Sequence, residues 1–156
     1  MNLSEMQAAL TKALTDLKAI AKKQIFLPPM NPDALLDWNT IAGAHHNVRV
    51  ICDLEGLTYN QKQELAACVM QESGFSIHAV NRNYAFRKNG TRYVASTDYG
   101  ICQWNDFWHG SEITPDEALN NPEKAVRLMC SYWKAGKMNQ WCSYSSKAYL
   151  RYLGKV

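Results

Sequence analysis

Three prolines fall within five residues, in Leu27-Pro28-Pro29-Met30-Asn31-Pro32. Each fixes φ and removes an amide donor, so neither a helix nor a central strand can run through this segment. The chain is therefore expected to divide here, into an N-terminal piece, residues 1–27, and a domain, residues 28–156. The first piece has a pattern of its own. Leu3, Met6, Leu10, Ala13, Leu17 and Ile20 recur at alternating steps of three and four, the seam of an amphipathic helix. Ser4 and Gln7 have the spacing of a capping box at its start. A helix with one narrow apolar stripe has to bury it. The segment around residues 3–24 can dock on its own domain, pair with a second copy, or attach to a larger assembly.

Beyond the prolines the pattern is mainly helical from Asp33 onward, with segments near 33–43 and 46–54. Thr58 and Gln61 then form a capping box. Leu65, Cys68, Val69 and Glu72 share one face of the helix that follows, and Gly74 is a natural stop. Residues 84–104 read differently. Asn89-Gly90 is a type I′ hairpin signal, flanked by the strand formers Tyr84, Phe86, Tyr93 and Val94. Helix punctuation returns with Thr114-Pro115 and Asn121-Pro122, each a cap followed by proline in the first turn. Gly136 should end the second of these helices, and a last helix is expected over about 145–153. Several helices around one hairpin predict an α+β domain.

The chain has 156 residues, of which 47% are hydrophobic, enough for one core without a metal or disulfide to hold it. No apolar run approaches the roughly 20 residues that span a bilayer, and residues 1–23 lack the apolar block of a secretory signal. The net charge is +3. It is scattered, with no Lys/Arg stripe interleaved with aromatics, so nucleic acid is not an expected partner. The five cysteines, Cys52, Cys68, Cys102, Cys130 and Cys142, contain no C-x-x-C pair, which argues against a zinc ribbon. They read as reduced, buried thiols, or as one or two disulfides with a thiol left over. His45, His46, His78 and His109 show no metal-ligand spacing. No cofactor or metal is expected.

Two stretches carry the chemistry. One is Gln71-Glu72-Ser73-Gly74-Phe75, continuing to Ala79-Val80-Asn81-Arg82-Asn83; the other is Ser96-Thr97-Asp98-Tyr99-Gly100-Ile101-Cys102-Gln103-Trp104-Asn105. Glu72 falls in the last turn of an apolar-faced helix. Burial and the negative helix end both oppose its ionisation there, so it should hold a proton near neutral pH. Asp98 lies across the hairpin among Ser96, Thr97 and Tyr99, where it should ionise more readily. Paired carboxylates with opposed environments suit divided roles in glycosidic cleavage: one protonates the leaving oxygen, the other manages the positive charge on the sugar.

Glu-Ser-Gly-Phe, then Ala-Val-Asn-Arg-Asn, then Ser-Thr-Asp-Tyr-Gly-Ile-Cys-Gln-Trp-Asn closely resembles animal-type (c-type) lysozymes and bacterial and phage lytic transglycosylases. The match runs from Leu65 to Asn105, interrupted by the hairpin. A fainter one around Trp141-Cys142-Ser143-Tyr144 resembles a transglycosylase stretch. The resemblance implies an α+β lysozyme-like fold and cleavage of the β-1,4 bond between N-acetylmuramic acid and N-acetylglucosamine in peptidoglycan strands. Glu72 matches the general acid. Asp98 matches the second lysozyme carboxylate, a nucleophile or charge stabiliser. Gln103 and Asn105 match groups that hydrogen-bond the sugar, with Ser73 and Asn81 in the same motifs; Ser73 either orients Glu72 or caps backbone. Trp108 matches a tryptophan of the saccharide cleft, and Tyr144 a tyrosine near the acid. The resemblance also places the activity at the bacterial wall, outside the cell, in the periplasm or with a phage. The sequence departs from the family in three respects. After Gln103 the chain reads Trp104-Asn105-Asp106-Phe107-Trp108-His109, close to neither group throughout. Roughly Tyr84 to Ala95 are extra between the carboxylates, which suggests a cleft wall or specificity loop. Cys68 is out of register with lysozyme cysteines, so their disulfide framework does not carry over. Water attack would give a reducing end; attack by the sugar's own 6-hydroxyl would give a 1,6-anhydro end. The alternative is a glycan-binding or virion structural protein that keeps the fold without turnover.

Overall fold

The computed structural model describes residues 34–156. The amphipathic seam of residues 3–20 and the proline break lie outside the described residues. The first helix, α1 (Ile41–Leu54), is a single element where two were expected. It starts only at Ile41 because Asp37 to Thr40 form a turn, and Thr40 accepts the Gly43 amide as N-cap. Gly43 is needed inside this helix, since a Cβ would lie 2.1 Å from the Asp37 carbonyl oxygen.

Helix α2 (Tyr59–Ser73) begins with the expected capping box, Thr58 and Gln61 satisfying each other's amides. Leu65, Cys68 and Val69 of its predicted face are fully buried. It ends at Gly74, whose φ of 61° is followed by a φ of 63° at Phe75. Two successive left-handed residues turn the chain sharply away from Glu72. Phe75 tolerates this conformation because its ring is buried against His45, with centroids 5.0 Å apart.

The strands β1 (Val80–Phe86), β2 (Arg92–Tyr99) and β3 (Trp104–Asn105) form one antiparallel sheet in the order β1-β2-β3. The β1–β2 turn corrects the type I′ expectation. Gly90 alone takes positive φ, 81°, and its amide donates to Arg87, while Arg87 donates to Thr91. This is the three-residue loop in which a type I turn is followed by a left-handed glycine. Asn89 caps the turn through its side chain, accepting from the Thr91 amide, instead of adopting positive φ itself. The pairing shifts between Asn83 and Tyr84, where Ser96 and then Val94 stand opposite, leaving Ala95 as the extra residue of a bulge.

Short helices follow: α3 (Asp106–His109), α4 (Pro115–Asn120), α5 (Pro122–Lys134) and α6 (Cys142–Ser145). Thr114 and Asn121 cap α4 and α5 with proline at the next position, as expected. The long last helix does not form. Its place is taken by α6 and a 3₁₀ segment (Ala148–Tyr152), divided at Lys147, whose φ is 60°. The described residues thus form a mainly helical α+β domain with one small antiparallel sheet. No helix among them is long and apolar enough to cross a membrane.

The sheet is locked to the helices at Trp104. Its ring is 2% exposed and its indole N–H donates to the Ala125 carbonyl of α5. Trp104, His109, Tyr132 and Trp141 pack so that every pair of ring centroids lies 4.9 to 5.9 Å apart. Gly100 makes the second junction. Its φ is 71°, and a Cβ would sit 2.0 Å from the Ala118 carbonyl oxygen of α4. Gly100→Ala is therefore expected to lower unfolding free energy by more than about 2 kcal/mol, since left-handed strain of roughly 1–2 kcal/mol adds to a backbone clash. Gly90→Ala, with open space at the same φ region, should show only the strain component. Urea unfolding of the two variants checks this, and equal losses would refute the clash at Ala118.

Candidate active site

The site is a cleft of about 730 Å³ lined by Glu72, Asn83, Ser96, Asp98, Gln103, Asn105, Trp108, His109, Gln140, Trp141 and Cys142. Helix α2 delivers Glu72 from one side and the sheet delivers Asp98 from the other. The cleft thus brings together the two carboxylates singled out in the sequence.

Glu72 is half-buried near the end of α2, and its Oε1 accepts the Ser143 amide at 3.1 Å. Burial pushes its carboxyl above the ordinary carboxylate range; the Ser143 hydroxyl and amide draw it down, and the Asp98 charge adds to the upward push. Of the two Ser143 groups only the amide stands in hydrogen-bond geometry; the buried hydroxyl has no such partner.

Asp98 is framed by amides. On one side Asn83 Nδ2 donates to Oδ2 at 2.8 Å; on the other Asn105 Nδ2 donates to Oδ1 at 2.7 Å. Register explains this. Asn105 stands directly opposite Asp98 on β3, and Asn83 is the diagonal neighbour on β1, two residues beyond the direct partner Asn81. Asn105 also reaches Ser96, and its Oδ1 accepts the amides of Phe107 and Trp108 as N-cap of α3. One amide therefore orients Asp98 and fixes the turn that presents Trp108. Trp108 is 74% exposed, which excludes core packing and leaves its face open to the cleft.

Other sequence candidates take different places. Gln103, at φ 53°, donates to the Ala79 and Gly100 carbonyls and accepts from Asn81. It holds the floor of the cleft together with most of its hydrogen-bonding capacity already used, and Asn81 reaches the cleft only through it. Ser73 Oγ bonds back to the Val69 carbonyl inside α2, so it caps backbone and does not orient Glu72. Tyr144 does not line the cleft. It stacks on Tyr149 with centroids 5.4 Å apart and meets Trp133 edge-on; its neighbour Ser143 is what touches Glu72.

Asn83, Ser96, Ser143 and Trp141 were not singled out from the sequence. Asn83 had a signal, since strand alternation places it on the same face as Asn81. Ser143 lies in the stretch with the fainter resemblance, but its contribution is a backbone amide, which residue type does not mark. Trp141 anchors the far wall, donating its indole N–H to Cys102 at 2.7 Å. His109, buried in the aromatic group, has Nδ1 3.3 Å from both Glu112 and the Tyr132 hydroxyl, and Tyr132 also donates to Glu112. The five cysteines are free thiols, with Cys52 and Cys130 sulfurs 3.9 Å apart. Among the described residues no cluster of His, Cys, Asp and Glu could hold a metal ion.

No family model matches this chain, and no curated protein matches it. Among solved structures it is similar to the crystal structure of a lysozyme from Litopenaeus vannamei. The two are 21% identical, with 72% of this chain and 94% of that chain covered and a TM-score of 0.48. The likeness is distant, and the chemistry of the cleft has to be read from its own residues.

The pH dependence of stability follows from Glu72. A carboxyl harder to ionise when folded costs stability as pH rises from the unfolded carboxylate range through its higher folded value. Glu72→Gln keeps the acceptor for Ser143 and removes that cost. The variant should melt above wild type at neutral pH, and the gap should close in acid. Identical melting temperatures from pH 3 to 8, read by circular dichroism, would contradict the buried-acid assignment.

Proposed function

We propose that this domain is a glycosidase that cleaves the β-1,4 bond between N-acetylmuramic acid and N-acetylglucosamine in peptidoglycan, with Glu72 as general acid. The observation that carries this is the asymmetry of the two carboxylates lining one cleft: Glu72 is half-buried and desolvation pushes its carboxyl above the ordinary carboxylate range, while Asp98 is held by the amides of Asn83 and Asn105. The motif resemblance to lysozymes and lytic transglycosylases supports the same assignment.

In the proposed reaction Glu72 gives its proton to the glycosidic oxygen as the bond from that oxygen to the anomeric carbon breaks. The electron pair leaves with the departing sugar, and the ring left behind carries an oxocarbenium charge. Asp98 opposes that charge across the cleft. The Glu72 carboxylate then takes a proton from the group that attacks the anomeric carbon, either water or the sugar's own 6-hydroxyl. Trp108 offers an exposed ring on which a sugar face can stack, and Asn83 and Asn105 keep the Asp98 carboxylate from turning away. The activity would be exercised at the bacterial wall.

Mass spectra of the soluble fragments released from purified peptidoglycan test this directly. Wild type should release disaccharide-peptides, and Glu72→Gln should slow release by at least about a hundredfold. Fragments ending in a reducing sugar indicate hydrolysis. Fragments one water lighter indicate 1,6-anhydro formation, as in lytic transglycosylases. Release that does not depend on Glu72 would reject this assignment and favour a glycan-binding or structural role.

A further inference from the structure

The β1–β2 hairpin carries groups that the cleavage chemistry leaves unused. From Val80 to Tyr99 the hairpin holds four cations, Arg82, Arg87, Lys88 and Arg92, against the single carboxylate Asp98, which lies at its cleft end. All four cations are exposed. Among the described residues none of them is in an ion pair. Folding thus assembles what the linear sequence did not display, cations set against aromatic rings. The Arg87 guanidinium lies 5.5 Å from the Tyr93 ring centroid, and that of Arg92 lies 3.5 Å from the Tyr84 centroid.

The two pairs lie on opposite faces. Along β1, Asn81, Asn83, Ala85 and Arg87 alternate onto one side, and Asn83 fixes that side as the cleft side through its bond to Asp98. Tyr93, opposite Ala85 and beneath Arg87, belongs with them. Tyr84, Phe86 and Arg92 project from the back. The cleft face therefore runs from Asp98 through Asn83 and Tyr93 to Arg87, with Lys88 next in the turn. Arg87 stands six positions along from Asn81, the strand partner of Asp98, which at strand rise places it roughly 20 Å along the sheet from the Asp98 backbone.

We infer that this distal end, Arg87 with Tyr93 and Lys88, is a second binding subsite that takes a carboxylate of the peptide branches carried by the glycan strand. The inference builds on the peptidoglycan assignment above. Charge complementarity selects the occupant. In a peptide-bearing strand the muramic acid lactyl group is tied up as an amide, so the sugars that Trp108 and the cleft would hold are neutral and call for stacking and amides. A planar guanidinium already oriented over a ring instead matches a carboxylate, which it can bind with two parallel hydrogen bonds. A strand lying along the cleft face would carry its branches past the hairpin tip, at a distance from the bond being broken. The hairpin then favours strands whose peptide carboxylates are free over strands in which they are amidated.

Binding is measured by co-sedimentation in a Glu72→Gln background, so that no wall is consumed. The two sediments are peptidoglycan freed of teichoic acid and the same peptidoglycan with its peptide carboxylates converted to neutral amides by carbodiimide and methylamine. Glu72→Gln should bind the untreated wall more tightly than the amidated wall. Adding Arg87→Ala and Lys88→Ala should weaken binding to the untreated wall by roughly threefold to thirtyfold. The ratio of the two affinities should then fall toward one, as it should for the parent in high salt. Arg92→Ala, on the back face, should leave the ratio intact. Equal weakening on both sediments would assign the cations to the glycan itself and overturn the inference. So would an unchanged ratio, or an Arg92→Ala effect as large as that of the tip variant. A wild-type digest run in parallel keeps the two assignments separate. Missing Glu72-dependent fragments reject the glycosidase, whereas fragments with an unchanged affinity ratio reject only the subsite.

Discussion

Trp104 and Asn105 make up the whole of β3, and strand alternation sends them in opposite directions. Trp104 enters the core, donates to Ala125 and completes the four-ring group with His109, Tyr132 and Trp141. Asn105 turns into the cleft, holds Asp98 and Ser96, and caps the helix bearing Trp108. The position of the Asp98 carboxylate therefore depends on the packing of a tryptophan one residue away. A buried ring of that size in a closely packed interior has little freedom to shift, and the rigidity passes directly to the polar side of the strand.

The two carboxylates are supported by different physics. Glu72 depends on exclusion of water. It ends a helix whose Leu65, Cys68 and Val69 face is fully buried, and a single amide from Ser143 meets one oxygen. Asp98 depends on donors, two side-chain amides from the flanking strands. The first arrangement favours the protonated carboxyl, and the second fixes which way a carboxyl group points. Both are needed if one cleft is to donate a proton and oppose a developing cation in the same reaction. The hairpin adds a third kind of support, exposed guanidinium groups over aromatic rings, suited to an anion at a distance from the chemistry.

Local signals carried much of the secondary structure. The capping box at Thr58 and Gln61, the glycine stop at Gly74, and the cap-proline pairs at Thr114-Pro115 and Asn121-Pro122 all formed where expected. Each involves residues within a few positions of one another, so its energy hardly depends on the rest of the chain. The expectations that failed needed information from farther away. The last helix is divided where Lys147 takes a left-handed conformation between Tyr144 and Tyr149, whose rings stack on each other. The hairpin turn at Asn89-Gly90 took a three-residue loop, whose form is tied to the pairing and bulge of the strands it joins.

The sequence by itself determined the pair of acidic residues, the helix that buries one of them and the hairpin that separates them, because motif and periodicity are written in neighbouring positions. The tertiary structure decided which groups serve those acids. Ser143 reaches Glu72 across 71 positions of sequence, and Asn83 and Asn105 reach Asp98 from strands on either side. It also turned Ser73 and Tyr144 away from the cleft, tied up most of Gln103, and gathered scattered cations onto one hairpin. Such placements follow from strand register and from packing between segments far apart in the chain. The free energy that fixes them belongs to contacts that exist only once the chain has folded.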